Sequence, residues 1–208
     1  MTHPDLRRLV VIDPQRIFAD PSSPWCAHDF EAVVEPIGRL VEHFGERVLV
    51  TRWLPGSEHR GAWADYFDRW SFADRPDGDP CFDLVDAALG WSPSPTLDLT
   101  TFGKWGPALS AITGAHPRLV LAGVATDCCV ISTALAAADA GAWVEVASDA
   151  CAGSTPDHHQ AAMTVMGLYA PQIRLRSVDE ILADRPRPEP EAGQPSTSTP
   201  SCVRLPTS

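Results

Sequence analysis

The chain has 208 residues, 44% apolar and 21% charged, enough to bury one sizeable core and too apolar to be disordered throughout. Its formal net charge of −11 is spread along the sequence and not gathered in blocks, which argues against nucleic acid and anionic membranes as partners. The cysteines at 26, 81, 128, 129, 151 and 202 form no Cys-x-x-Cys pair, and no long apolar run precedes the first strand candidate. These features point to a cytoplasmic protein with free thiols, without a signal peptide, membrane span or zinc site.

Short β-type runs then alternate with helical patterns. The first strand is predicted at Leu9–Ile12, followed by a helix over Phe30–Phe44 and a second strand at Val48–Thr51. Helical stretches at Gly61–Trp70, rich in aromatics, and at Pro80–Leu89 lead to a third strand, Leu97–Thr101. A helix at Pro107–Gly114 and a strand at Leu119–Ala122 follow, then a helix at Thr126–Ala140 and a strand at Trp143–Ala147. The last elements are a helix at Pro156–Tyr169, a strand at Ile173–Arg176 and a short helix at Val178–Asp184. In Thr155-Pro156-Asp157 a capping residue precedes Pro at the first helical position, a good helix start.

The first, second and fourth strands are nearly continuous in Val, Leu and Ile, the pattern of strands buried on both faces. Strand and helix in alternation imply right-handed crossovers, and so a three-layer α/β/α, Rossmann-like domain over residues 1–184 with a mainly parallel sheet of about six strands. From Arg185 to Ser208 the composition shifts to six Pro and seven Ser or Thr among 24 residues, which predicts a disordered tail.

In open parallel sheets ligands gather beyond the carboxyl ends of the strands, so polar residues there carry the functional reading. Asp13 follows Leu-Val-Val-Ile, Lys104 lies just past the third strand, and Cys128 and Cys129 follow the fourth. Each has a plain structural reading as turn former, solvated cation or core filler. Lys104 is nonetheless the one Lys among 16 basic residues, which suggests a place where a compact ammonium is needed and a guanidinium will not serve.

Together the three residue types make chemical sense. A cysteine with an ordinary pKa of about 8.5 is only a few per cent thiolate at neutral pH. A carboxylate can take its proton, and an ammonium or the first turn of a helix can stabilise the anion left behind. Periodicity does not decide which of the two thiols would be the nucleophile.

At these residues the chain resembles the isochorismatase-like cysteine hydrolases, which include nicotinamidases, N-carbamoylsarcosine amidohydrolases, biuret hydrolases and isochorismatases. The resemblance covers about residues 5–180 and rests on Val-Val-Ile-Asp-Pro-Gln (10–15), Val-Thr-Arg (50–52), Phe-Gly-Lys-Trp (102–105), Gly-Val-Ala-Thr-Asp-Cys-Cys-Val (123–130) and Ser-Asp-Ala (148–150). It implies Cys129 as nucleophile, Asp13 as base, Lys104 as third member, a cis peptide at Val124–Ala125, and an oxyanion site on the backbone N–H groups of Ala125 and Cys129. It also matches His159 to a helix-start His of the family, here read as capping or packing. Asp127 is read as a helix cap.

Nicotinamidases of that family carry an Asp-x-His metal pair directly after the second strand, where this chain has Arg52-Trp53-Leu54-Pro55. The expectation is therefore no metal, no cofactor, and recognition of a small amide or ureido substrate by side chains, with Arg52, Trp53 and Trp105 as candidates. The aromatics of residues 61–70 are core, lid or subunit contact, and the family's habit implies a homo-oligomer. A thiol at this place favours C–N hydrolysis, of the non-metal, N-carbamoylsarcosine amidohydrolase-like kind, over cleavage of a vinyl ether. The rival readings are an ether hydrolase that does not use the thiol and a non-catalytic ligand-binding or partner-binding module.

Overall fold

The computed structural model describes residues 6–184, so the predicted tail at 185–208 lies outside the described residues. At the centre of its sheet lies β1 (Arg8–Ile12), buried from Leu9 onward. On one side follow β2 (Val48–Trp53) and the edge strand β3 (Leu97–Leu99); on the other follow β4 (Arg118–Val124), β5 (Trp143–Ala152) and β6 (Ile173–Arg176). All neighbouring strands run parallel, as the apolar runs predicted.

Successive side chains of a strand point to opposite faces, so a strand buried on both sides feeds two cores. Leu9 and Val11 of β1 pack into one core with α1 (Arg16–Ala19), α2 (Phe30–Phe44), α3 (Ala62–Arg69) and α7 (Val178–Ala183). Val10 and Ile12 pack into the other, with α4 (Pro107–Thr113), α5 (Ile131–Asp139) and α6 (Pro156–Gly167). The result is three layers.

Reading outward from the centre, the chain visits one half of the sheet through β1, β2 and β3 and the other half through β4, β5 and β6. The reversal falls between β1 and β4, the position at which open α/β sheets generally bind ligands, beyond the carboxyl ends of the strands. Asp13 leaves β1 at this point and the paired cysteines leave β4.

Several local expectations change. The helix predicted at Pro80–Leu89 is two short 3-10 turns, Pro80–Phe82 and Asp86–Ala88. The intervening backbone is drawn out to pair with the chain leaving β1: Arg16 N–H donates to the Asp83 carbonyl (2.9 Å) and Val85 N–H to the Pro14 carbonyl (2.9 Å). β3 stops at Leu99, ahead of the predicted Thr101, and the freed residues form the loop that carries Lys104. β5 runs on to Ala152, and the short α1 has no counterpart among the predicted elements. Thr155 does cap α6, its hydroxyl accepting from His158 N–H (3.1 Å).

Candidate active site

The first turn after β4 departs from the predicted continuous helix. Thr126–Val130 is a π-helical turn, and only from Ile131 does the chain settle into α5. The Ala125 carbonyl accepts from the N–H groups of both Cys128 (3.0 Å) and Val130 (3.1 Å), so the widened turn passes around Cys129. Wide turns of this kind recur at functional sites, because they displace one side chain from the helical register. The peptide bond Val124–Ala125, just before it, is cis.

Close contact between β4 and β1 positions this turn. Gly123 pairs with Ile12, has φ +111°, and a Cβ there would lie 2.2 Å from the Ile12 carbonyl oxygen. Only glycine allows this approach, which sets the turn bearing Cys129 next to Asp13.

Asp13 is fully buried and has φ 47°, an uncommon value outside glycine that Asp tolerates better than most. Thr51 of β2 fixes it twice: the Asp13 N–H donates to Thr51 Oγ1 (3.2 Å), and the Thr51 hydroxyl donates to Asp13 Oδ1 (2.7 Å). The other oxygen, Oδ2, accepts no hydrogen bond and stands 2.9 Å from Lys104 Nζ, with both side chains wholly enclosed. Lys104 is held in turn by the carbonyl of Thr101 (Nζ to O, 2.9 Å), and its N–H donates to Thr133 Oγ1 (2.9 Å). The Thr133 hydroxyl donates to the Cys129 carbonyl (2.6 Å), so the Lys104 loop is fastened to the helix that follows the thiol.

Cys129 is buried. The adjoining Cys128 side chain, burial and the negative charge of Asp13 hold its thiol well above the ordinary cysteine range, with Lys104 acting the other way. The preference for thiolate expected of a helix start is thus outweighed. A thiol that keeps its proton within the field of a buried carboxylate can pass that proton to it as the sulfur attacks.

The structure places the other sequence candidates less closely. Arg52 is held by Asp98 of β3 through two contacts, Nε to Oδ1 (2.9 Å) and Nη2 to Oδ2 (2.5 Å), so its guanidinium is already engaged by a carboxylate. Trp53 is fully buried, stacked on Phe67 (6.0 Å) and Phe102 (6.5 Å), and its indole N–H has no acceptor. Trp105 is half-buried against the core of α4 to α6.

Asp127 is not a helix cap. It ties the turn to the loop before α6, accepting from the Ser154 N–H (2.8 Å) and hydroxyl (2.7 Å). His159 does not cap either: its Nδ1 shares a hydrogen bond with Thr126 Oγ1 (2.9 Å), and burial lowers its pKa below the ordinary histidine value.

Two residues are not singled out by the sequence. Gln15, buried beside Asp13, donates to the carbonyls of Trp53 (3.0 Å) and Phe82 (2.8 Å) and accepts from Trp53 N–H (2.7 Å), joining β1 to β2. Its signal is its place in the Val-Val-Ile-Asp-Pro-Gln motif. Tyr66 lies near the thiols, and no signal beyond its aromatic neighbourhood points to it.

The comparisons with known proteins follow the same lines. The family model described as the isochorismatase domain matches residues 8–176. Among solved structures, the chain is similar to a cysteine hydrolase from Pseudomonas syringae pv. phaseolicola, with TM-score 0.71 and 16% identity over 88% of this chain and 97% of that one. An isochorismatase-like hydrolase from Alkaliphilus metalliredigens gives TM-score 0.68 and 16% identity over 86% and 97% of the two chains. A pyrazinamidase of Pyrococcus horikoshii in complex with zinc gives TM-score 0.59 and 22% identity over 83% and 99%. No curated protein matches the chain.

The residues here do not suit a metal like that zinc. Arg52 is engaged by Asp98, Trp53 is enclosed among rings, and His59 Nε2 is paired with Asp74 (2.8 Å). Among the described residues no group of three or more His, Cys, Asp or Glu side chains is placed to hold a metal ion. No helix among them is long and apolar enough to cross a membrane. With the family model spanning most of its length, the chain belongs to the isochorismatase-like hydrolase family.

Proposed function

We propose that the protein hydrolyses the C–N bond of a small amide or of a ureido or carbamoyl compound through a thioester on Cys129. The observation that carries this reading is the enclosed Asp13–Lys104 pair, whose Asp13 Oδ2 accepts no hydrogen bond while the same carboxylate acts electrostatically on the Cys129 thiol.

Asp13 accepts the proton of Cys129 as the sulfur attacks the carbonyl carbon. The oxyanion rests on the backbone N–H groups of Ala125 and Cys129, with the Lys104 ammonium adding electrostatic support. Protonated Asp13 then delivers its proton to the leaving nitrogen, the C–N bond breaks, and an amine or ammonia departs. Water, deprotonated by the same carboxylate, cleaves the thioester, frees the acid and restores the thiol. Arg52 is left out of substrate recognition because Asp98 engages its guanidinium. Trp105 remains a candidate wall.

The test is release of ammonia or amine across a panel of small amides, ureas and carbamoyl amino acids, with Cys129→Ala alongside. Turnover that vanishes in the variant supports the reading. Ammonia or amine release that survives in the variant means C–N cleavage without the Cys129 thiol and contradicts the thioester, whereas no release from any member of the panel in the wild type points to another reaction, such as ether hydrolysis.

A further inference from the structure

The turn Thr126–Val130, which carries both thiols, is fastened to the loop and helix that follow β5. Gly153 lies so close to it that a Cβ there would stand 2.9 Å from both Asp127 Oδ1 and His159 Cβ. Asp127 accepts from the Ser154 N–H and hydroxyl, and His159 of α6 reaches Thr126, the first residue of the turn. Thr126 is fully buried, and among the described residues His159 Nδ1 (2.9 Å) is the only hydrogen-bond partner of its hydroxyl.

That contact fixes the state of the imidazole. A buried hydroxyl needs an acceptor for its hydrogen, and if Nδ1 were the donor the Thr126 hydrogen would have none. Thr126 therefore donates to Nδ1, and the ring is neutral with its proton on Nε2. His159 is half-buried and borders a cavity of about 240 Å³ with His28, Asp29, Cys151 and Thr155, which leaves the ring open to protonation. Protonation makes Nδ1 a donor and strands the Thr126 hydroxyl. Of the neighbouring titratable groups, His28 is paired with Asp29 (2.9 Å), His158 is turned to Ser154 (Nδ1 to Oγ, 2.9 Å), and Cys151 keeps its proton. Burial sets the balance and holds His159 below the ordinary histidine value, with Asp127 acting the other way.

Thr126 directly follows Ala125, whose N–H is assigned to the oxyanion, and precedes Cys129 by three residues. We propose that neutral His159 is a positioning residue: by accepting from Thr126 it holds the turn in the shape that aims the Ala125 and Cys129 N–H groups, and its protonation slackens that hold and slows acyl transfer. This inference rests on the Cys129 reading.

The experiment measures acylation of Cys129 in the full-length protein by p-nitrophenyl acetate: the sulfur takes the acetyl group, nitrophenolate leaves, and the thiol proton passes to Asp13. Peptide fragmentation places the adduct. One buried hydrogen bond left unmade corresponds to about a tenfold loss. His159→Phe, which keeps a ring but offers no acceptor, should therefore acylate about tenfold more slowly at neutral pH. His159→Asn, which returns an acceptor near the place of Nδ1 that does not titrate, should restore most of that rate. As pH falls below 6.5 the wild-type rate should drop, and the Asn variant should hold its rate further into acid. Asp13 is common to all three proteins, so a difference between their profiles reads His159. A merely structural role would slow both variants alike and leave the profile where it is. His159→Phe at the wild-type rate, His159→Asn no faster than His159→Phe, or an Asn profile that falls with that of the wild type overturns the proposal. Should His159→Phe fail to fold, the Asn profile against the wild type decides. No adduct on Cys129 in the wild type sinks the thioester reading itself, and this inference with it.

Discussion

The Lys104 ammonium and Asp13 Oδ2 lie 2.9 Å apart with neither side chain exposed. A buried pair of this kind contributes little net stability when intact, yet removing one partner leaves an uncompensated charge in the interior. Lys104→Met or Asp13→Asn alone should therefore lower the unfolding free energy by about 3–5 kcal/mol. The double variant should recover much of that loss. Urea denaturation of the four proteins gives the cycle. Single losses under about 1 kcal/mol would mean that water reaches the pair.

Cys128 supplies the largest of the influences that hold the Cys129 thiol up. Cys128→Ala should keep turnover and move the midpoint of Cys129 alkylation to lower pH, so that the thiol reacts faster near neutrality. A pH series with iodoacetamide, read by mass at Cys129, checks this. A midpoint that stays or rises would leave burial and Asp13 as the governing influences.

Cys151 is buried in β5, opposite Gly123 of β4, and burial raises its thiol from 9.0 to about 12. Above pH 9 the unfolded chain gives up this proton while the folded one keeps it, so the stability is fully present below pH 9 and falls as pH rises toward 12. One such group contributes a slope of up to about 1.4 kcal/mol per pH unit. Unfolding free energies measured across this range should fall, and Cys151→Ala should flatten the decline.

Gly123→Ala should cost more than about 3 kcal/mol, because a left-handed backbone angle and a collision with the Ile12 carbonyl act together. Gly38 in α2 has open space where a Cβ would stand, with nothing within 4 Å, and Gly38→Ala should instead stabilise by about 0.5–1 kcal/mol. Chemical denaturation compares the two. Similar effects at both sites would contradict the close approach of β4 to β1.

The strands are legible in the sequence because burial on both faces writes itself as continuous Val, Leu and Ile, as in Leu9–Ile12 and Leu119–Leu121. The start of α6 is legible because Thr155 and Pro156 act within a few residues. Pro80–Leu89 misleads because what draws it out is the backbone of residues 14–16, far away in the chain. Asp13, Lys104 and the cysteines can be placed at strand ends, whereas their meeting depends on strand order, and the choice between Cys128 and Cys129 comes from the resemblance alone. Arg52 looks available because its partner, Asp98, sits on a strand 46 residues later.

The central claim concerns which sulfur does the chemistry. The most direct measurement is intact-mass and peptide mapping of the full-length protein, quenched in acid during turnover of a slow amide substrate, for wild type, Cys128→Ala and Cys129→Ala. An acyl adduct on Cys129 in the first two proteins, and none together with no turnover in the third, is the expected result. An adduct on Cys128, or turnover undiminished in Cys129→Ala, would contradict it.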